Sequence, residues 1–173
     1  GKTLGVIGFG RIGRETAKRA KALGMKVIYY DTIGPIKEHK NFKYCEIDKL
    51  LGLSDFVSLH VPQGPGERAV IGKKEIEKMK DGAYIINCAR GGVVDEKALI
   101  EALDSGKLSG AAIDVFIEEP AKDNPLCRHD KVSCTPHIGG STVEAQERIG
   151  EEIISIIKDF YSWGDSNGFA QSI

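Results

Sequence analysis

Six residues, Gly8-Phe9-Gly10-Arg11-Ile12-Gly13, have the types and spacing to hold a pyrophosphate. The first glycine permits a tight turn, the second lets phosphates approach the backbone, and the third lets a helix pack closely on a strand. They follow an apolar run, Thr3 to Ile7, and open a helical pattern whose first N–H groups would face the ligand. Asp31 closes the next apolar run, 18 positions after Gly13. A carboxylate there accepts hydrogen bonds from an adenosine ribose and repels a 2'-phosphate. This arrangement favours NAD over NADP as cofactor.

Four polar segments follow later apolar runs: His60-Val61-Pro62, Ala89-Arg90-Gly91-Gly92, Asp114 with Glu118-Glu119-Pro120, and Thr135-Pro136-His137-Ile138-Gly139-Gly140. In an open parallel sheet ligands lie beyond the carboxyl ends of the strands, so an acid, a base and a cation converge on one edge. Each alone is bland, since a loop histidine or arginine is more often a satisfied surface group. Together they match what a nicotinamide cofactor needs: a substrate carbon that exchanges hydride and an oxygen that exchanges a proton. A histidine, with an unperturbed pKa of about 6.5, is the natural proton carrier, and His137 is the candidate. Glu119 would favour the imidazolium and fix its tautomer. Arg90 presents a planar fork of donors that binds a carboxylate in bidentate fashion and polarises the adjacent carbonyl. Such a set describes a 2-hydroxy acid dehydrogenase.

These residues need a scaffold, and the hydrophobic pattern supplies one. Strand-like runs recur at Thr3 to Ile7, Lys26 to Tyr30, a weaker Phe42 to Cys45, Phe56 to Val61, Ala83 to Cys88, Gly110 to Val115 and Lys131 to Cys134. Helical patterns lie between most of them. Arg11 to Leu23 stops at Gly24, Ile76 and Met79 mark a shorter helix, and Glu96 to Leu103 follows Asp95 as N-cap. A last helix begins at Ser141-Thr142-Val143-Glu144, a capping-box pattern, and is expected to bury Ile149, Ile153, Ile156, Ile157 and Phe160. From Gly164 the chain reads as a polar tail. The expectation is one doubly wound α/β domain with a parallel sheet of about seven strands covered on both faces.

Composition is that of an ordinary soluble globular protein rather than of a disordered, collagenous or membrane chain. Of 173 residues, 41% are hydrophobic and 28% charged, and 24 Lys plus Arg against 25 Asp plus Glu leave a net charge of −1. That balance gives no field for nucleic acid or an anionic membrane. The longest stretch without charged side chains, Val132 to Val143, has twelve residues against the ~20 a membrane helix needs. Arg11 and Arg14 interrupt the first apolar run, so no secretory signal is visible and a reducing cytoplasm is the default. Cys45, Cys88, Cys127 and Cys134 show no zinc-ligand spacing and read as buried thiols, neither metal ligands nor disulfides.

The chain resembles the D-isomer-specific 2-hydroxyacid dehydrogenases almost end to end. The carriers are Gly-Phe-Gly-Arg-Ile-Gly at 8 to 13, Asn-Cys-Ala-Arg-Gly-Gly at 87 to 92, Asp-Val-Phe-Ile-Glu-Glu-Pro at 114 to 120, and Thr-Pro-His-Ile-Gly-Gly-Ser-Thr at 135 to 142. The resemblance implies a Rossmann-type NAD-binding domain. It gives Arg90 the 2-oxo acid, His137 the general acid and base role and Glu119 the pairing with His137. Arg11 and Ile12 go to the phosphates, Asp114 to the nicotinamide carboxamide, and Val61, Cys88 and Ala89 to the rest of the cofactor. Ile138, Gly139 and Gly140 flank the nicotinamide, and the cofactor contacts extend to Arg90 and His137. Gln63-Gly64-Pro65-Gly66 departs from a segment that is richer in Thr in relatives.

The arginine segment is nearest in form to the 3-phosphoglycerate dehydrogenase branch of serine biosynthesis, which implies that hydroxy acid as substrate and a homo-oligomeric intact enzyme. Family members also fold a substrate domain. By this resemblance it is essentially absent here, with residues 1–173 a dinucleotide-binding domain and 164–173 its tail. Two alternatives share the motifs: a dehydrogenase for another D-2-hydroxy acid, and a non-catalytic NAD-sensing module similar to transcriptional corepressors of the same fold.

Overall fold

The computed structural model describes residues 1–63 and 66–166, with side chains described through residue 162. Gly64 and Pro65 of the glycine-proline segment, and 167–173 of the expected tail, lie outside the described residues. The chain forms two compact units, Gly1–Pro136 and His137–Ile173.

The first unit is a parallel sheet of seven strands: β1 (Thr3–Ile7), β2 (Lys26–Tyr30), β3 (Lys43–Tyr44), β4 (Phe56–Leu59), β5 (Ala83–Asn87), β6 (Leu108–Ile113) and β7 (Val132–Cys134). Their order is β3-β2-β1-β4-β5-β6-β7, so the direction of winding reverses between β1 and β4. β1 pairs with β2 from Thr3↔Lys26 to Ile7↔Tyr30 and with β4 from Leu4↔Phe56 to Ile7↔Leu59. This is the doubly wound α/β fold that the pattern predicts, and its switch point lies at the end of β1, where the glycine loop begins.

β1 is free of polar side chains and buried from Leu4 to Ile7 because both faces are covered. Leu4 and Val6 join Phe9, Ala17, Ala20 and Tyr29 in a core under α1 (Arg11–Ala22). Ile7 points the other way, into a larger core with Leu50, Leu59, Ile85, Leu99, Leu103 and Ile113. That core is roofed by α2 (Ile47–Leu53), α3 (Lys73–Lys78) and α4 (Glu96–Asp104). The Asp95 carboxylate accepts the Ala98 N–H at 3.0 Å and caps α4 as expected. Leu99 and Leu103 are fully buried, and truncating either to Ala costs about 2–5 kcal/mol.

Several boundaries differ from the expectation. β6 begins and ends two residues earlier than Gly110 to Val115, which places Asp114 just beyond the strand. α2 and two short 3-10 turns, Lys37–His39 and Pro125–Arg128, have no counterpart in the sequence reading. Among the four cysteines, Cys45 is buried, whereas Cys88 and Cys127 are exposed and Cys134 is half-buried. The expectation of four buried thiols is corrected, because Cys88 follows the carboxyl end of β5 and Cys127 sits on a surface turn.

The second unit holds α5 (Val143–Ser166) and the turn that leads into it. Its first turn is capped by Thr142, whose Oγ1 accepts the Ala145 N–H at 3.2 Å, rather than by the Ser141 and Glu144 box. The helix continues past Gly164, the expected start of the tail. Ile149, Ile153, Ile156, Ile157 and Phe160 are exposed, not buried. Among the described residues of its unit this amphipathic helix has no second layer against which to bury its apolar stripe. Among the described residues no helix is long and apolar enough to cross a membrane.

Candidate functional site

Gly8 leaves β1 with φ +88°, and its N–H donates to the Tyr30 carbonyl at 2.9 Å. A Cβ at Gly8 would stand 2.4 Å from the His60 carbonyl oxygen, and one at Gly13 would stand 2.1 Å from the Gly8 carbonyl oxygen. Neither position has room for a side chain, so strand, turn and helix close on one another as a unit. Gly10 is different. No heavy atom lies within 4 Å of where its Cβ would be. As N-cap of α1 it brings no side-chain acceptor, and no acidic residue stands in the first turn. The helix start therefore combines backbone N–H groups, open space at Gly10 and the positive end of its dipole, which fits a pyrophosphate.

Asp31, just beyond β2, braces this loop. Its Oδ2 accepts the Phe9 N–H at 2.7 Å and its Oδ1 accepts the Ile33 N–H at 3.2 Å. A carboxylate offers about four lone-pair sites, so both oxygens can still receive ribose hydroxyls. Beneath, the Phe9 ring stacks on Tyr29 at 3.9 Å, and the Tyr29 hydroxyl accepts the Ile36 N–H at 2.8 Å. The glycine loop and the segment after Asp31 are thus fastened to one aromatic block.

Val61 borders the loop, with Cγ1 2.9 Å from the position a Gly8 Cβ would take. His60 is held by Ser58, whose Oγ lies 2.9 Å from its Nε2. Burial pushes the His60 pKa down, so His60 is a neutral structural group at the strand end.

β5 delivers the next group. Asn87, which is buried, organises the turn after it: its Nδ2 donates to the Arg90 carbonyl at 3.0 Å and its Oδ1 accepts the Ala89 N–H at 3.1 Å. Arg90 is thereby carried to the surface, where Nη1 donates to the Ala89 carbonyl at 2.6 Å and the rest of the guanidinium fork faces outward. Cys88 is exposed as a residue, yet loss of water around its thiol, with the charge of Asp114, pushes its pKa up. The shift favours the neutral thiol over the thiolate.

Asp114 is buried beyond β6 and accepts the Thr135 hydroxyl at 2.5 Å, one rung past the Ile113↔Cys134 pair. Glu119 is exposed on the following loop, and its Oε1 accepts the Phe116 N–H at 3.0 Å. In the first unit, then, the glycine loop, Asp31, Val61, Cys88, Ala89, Arg90, Asp114 and Glu119 all follow carboxyl ends of parallel strands. Sequence reasoning gave no role to Asn87 or Thr135. Both were inside quoted motifs, and the signal was their chemistry: short polar side chains at strand ends bind neighbouring backbone and carboxylate groups.

His137, Ile138, Gly139 and Gly140 belong to the second unit. His137 has φ +56°, a left-handed conformation that histidine adopts more readily than most residues. Behind it the Ser141 N–H donates to the Ile138 carbonyl at 3.0 Å, and Gln146 Nε2 donates to the Gly140 carbonyl at 2.7 Å. The turn is thereby tied to the first coils of α5.

A surface groove of about 1080 Å³ shares Gly91 and Gly92 with the Arg90 turn but includes none of the glycine-loop residues, Asp31 or Asp114.

Comparison with known proteins bears on this arrangement. The sequence model described as D-isomer specific 2-hydroxyacid dehydrogenase, NAD binding domain, matches residues 1–139. The D-3-phosphoglycerate dehydrogenase of Methanocaldococcus jannaschii is 52% identical over 161 residues, covering 91% of this chain and 31% of that protein. The hydroxypyruvate reductase of Thermotoga maritima is 51% identical over 160 residues, covering 91% and 52%. Among solved structures, a glyoxylate reductase from Paecilomyes thermophila superposes with TM-score 0.84 at 42% identity, over 91% of this chain and 48% of that one. A D-lactate dehydrogenase from Aquifex aeolicus, complexed with NAD and lactic acid, gives 0.80 at 40%, over 93% and 54%. The chain spans about a third to a half of the length of these relatives. With a seven-stranded doubly wound sheet, a glycine loop at its switch point and a match over residues 1–139, the chain belongs to the D-isomer specific 2-hydroxyacid dehydrogenase family, as its NAD-binding domain.

Proposed function

We propose that this chain is the cofactor-binding portion of an NAD-dependent dehydrogenase acting on a D-2-hydroxy acid, with 3-phosphoglycerate the favoured substrate. The observation that carries the reading is the placement of an exposed Arg90 and an exposed Glu119 on the sheet edge that also holds the glycine loop and buried Asp114. Bound NAD supplies the hydride acceptor. Arg90 would grip the substrate carboxylate with two parallel hydrogen bonds, which fixes the orientation of the adjacent C2. His137 would take the C2 hydroxyl proton in oxidation and return it in reduction. Glu119 would hold the imidazole in the tautomer that accepts that proton and stabilise its charge afterwards. Asp114, with Thr135 as donor to one oxygen, would accept from the carboxamide, and Ile138 to Gly140 would flank the ring.

Support for 3-phosphoglycerate comes from the form of the 87–92 segment and from the Methanocaldococcus relative. The Thermotoga relative, at nearly equal identity, bears the name of an enzyme for a non-phosphorylated acid. The near-zero net charge favours a small-molecule partner over nucleic acid, and a cytoplasmic homo-oligomer is the setting we assign to the intact enzyme. The test is turnover by the full-length gene product with NAD and a panel of D-2-hydroxy acids. Oxidation of 3-phosphoglycerate well above lactate and glycerate supports the proposal. Preference for a non-phosphorylated acid replaces the substrate, and NAD binding without turnover of any acid overturns the enzymatic reading in favour of a sensing module.

A further inference from the structure

Glu96, the first residue of α4, has no part in the reading above, yet its carboxylate spans the loop that carries Glu119. Oε1 accepts the Ile117 N–H at 3.0 Å and Oε2 accepts the Asn124 side-chain amide at 2.7 Å. Asn124 is fixed in turn, because its Oδ1 accepts the Leu126 N–H at 2.9 Å and cannot turn over without losing that bond. Inside the span, Glu119 Oε1 accepts the Phe116 N–H. The residue before Ile117 also touches the arginine turn. A Cβ at Gly91 would stand 1.9 Å from the Phe116 carbonyl oxygen, so the Phe116–Ile117 peptide lies directly on the chain that follows Arg90.

We propose that Glu96 is a positioning residue that sets the placement of Glu119 relative to Arg90, and this rests on the catalytic roles proposed above for those two residues. Two charge-assisted hydrogen bonds to one half-buried carboxylate hold both ends of a loop that otherwise stands in water. Asp95, one residue earlier, already caps α4, so the carboxylate of Glu96 is not needed to start the helix.

The bond pattern gives a discriminating test. In Glu96→Gln one of the two acceptors becomes a donor that faces a donor, either the Ile117 N–H or the Asn124 amide. Adding Asn124→Asp reverses the pair: the new amide at position 96 donates to the new carboxylate at position 124, Ile117 keeps its acceptor, Leu126 keeps its cap, and net charge is unchanged from wild type. In the 173-residue chain, Glu96→Gln should speed amide hydrogen exchange at Phe116 and Ile117 while leaving Leu99 in α4 unchanged, and the double variant should restore protection. In the full-length enzyme, Glu96→Gln should lower kcat on the order of tenfold with the KM for NAD unchanged, as expected when a catalytic group is misplaced without loss of cofactor binding. The double variant should recover it.

Unaltered exchange at Phe116 and Ile117, or failure of the double variant to rescue, overturns the proposal. So does an unchanged kcat in Glu96→Gln when Glu119→Gln lowers it. If Glu119→Gln itself leaves kcat unchanged, the catalytic role of Glu119 falls first, and the proposal falls with it.

Discussion

Arg90 points a guanidinium fork outward from a turn that Asn87 holds, and the value of that fork lies in its shape as well as its charge. Arg90→Lys in the full-length enzyme should raise the KM for the acid and lower kcat/KM, because an ammonium cannot make two parallel hydrogen bonds to a carboxylate. His137→Ala should act on kcat instead, with a loss on the order of 100- to 10,000-fold. Steady-state kinetics with the preferred acid separates the two effects, and normal turnover in His137→Ala would refute the proton-carrier role. Asp31 makes a different kind of contribution. It braces Phe9 and Ile33, so replacing it by Ala would disturb the loop as well as the charge. Asp31→Asn keeps an acceptor and removes the repulsion of a 2'-phosphate. Calorimetric titration should show the preference for NAD over NADP narrowing by about tenfold, equivalent to about 1.4 kcal/mol.

At the scale of elements, the fit of β1, the glycine loop and α1 leaves no slack. Gly13→Ala would force its Cβ against a backbone carbonyl, which cannot swing aside as a side chain can. A loss of about 1–3 kcal/mol in denaturant midpoint experiments is expected, with weaker NAD binding. His60 at the end of β4 makes the same region acid-sensitive. Its folded pKa lies below the unfolded value, so the unfolded chain binds the extra proton first. The stability it contributes is complete above about pH 6.5 and declines as pH falls through the folded pKa. Thermal melts of wild type and His60→Gln between pH 5 and 8 should diverge on the acid side only. These elements also show what a sequence discloses. All seven strands were legible because each lies in a short run rich in β-branched and aromatic residues between turn signals, and the glycine turn between β1 and α1 was legible because its spacing marks a strand that turns tightly into a helix. α2 was not, since it is seven residues long and its pattern is little more than Ile47, Leu50 and Leu51. The exposure of the α5 stripe was not legible either. Periodicity reports which face of a helix is apolar and is silent on what covers it. Asn87 and Glu96 escaped because their contacts are hydrogen bonds to backbone groups and, for Glu96, to the Asn124 side-chain amide, which many polar residues could make in principle.

For the molecule as a whole, the glycine loop, Asp31 and Asp114 lie together in the first unit, with its own two-sided core. The 173-residue chain should therefore fold cooperatively and bind NAD by calorimetry. It should oxidise 3-phosphoglycerate negligibly, because Arg90 and Glu119 stand in water, and orientation and water exclusion can account for ~7 to 11 kcal/mol of a barrier. Absent NAD binding in a folded sample would contradict the assignment of the dinucleotide site. The sheet order also carries a kinetic consequence. β1 is an interior strand but precedes both its neighbours in the chain, and its partner β4 arrives only at Phe56–Leu59. Among the strands of this sheet β1 is synthesised first, and it is hydrogen-bonded on both sides only once β4 has followed. For that interval its apolar edges are open, and the loop closures needed to seal them are non-local ones that slow folding. Early β1 is therefore the segment on which a chaperone would act, and slowing translation between residues 30 and 56 should lower soluble yield more than slowing it after residue 87.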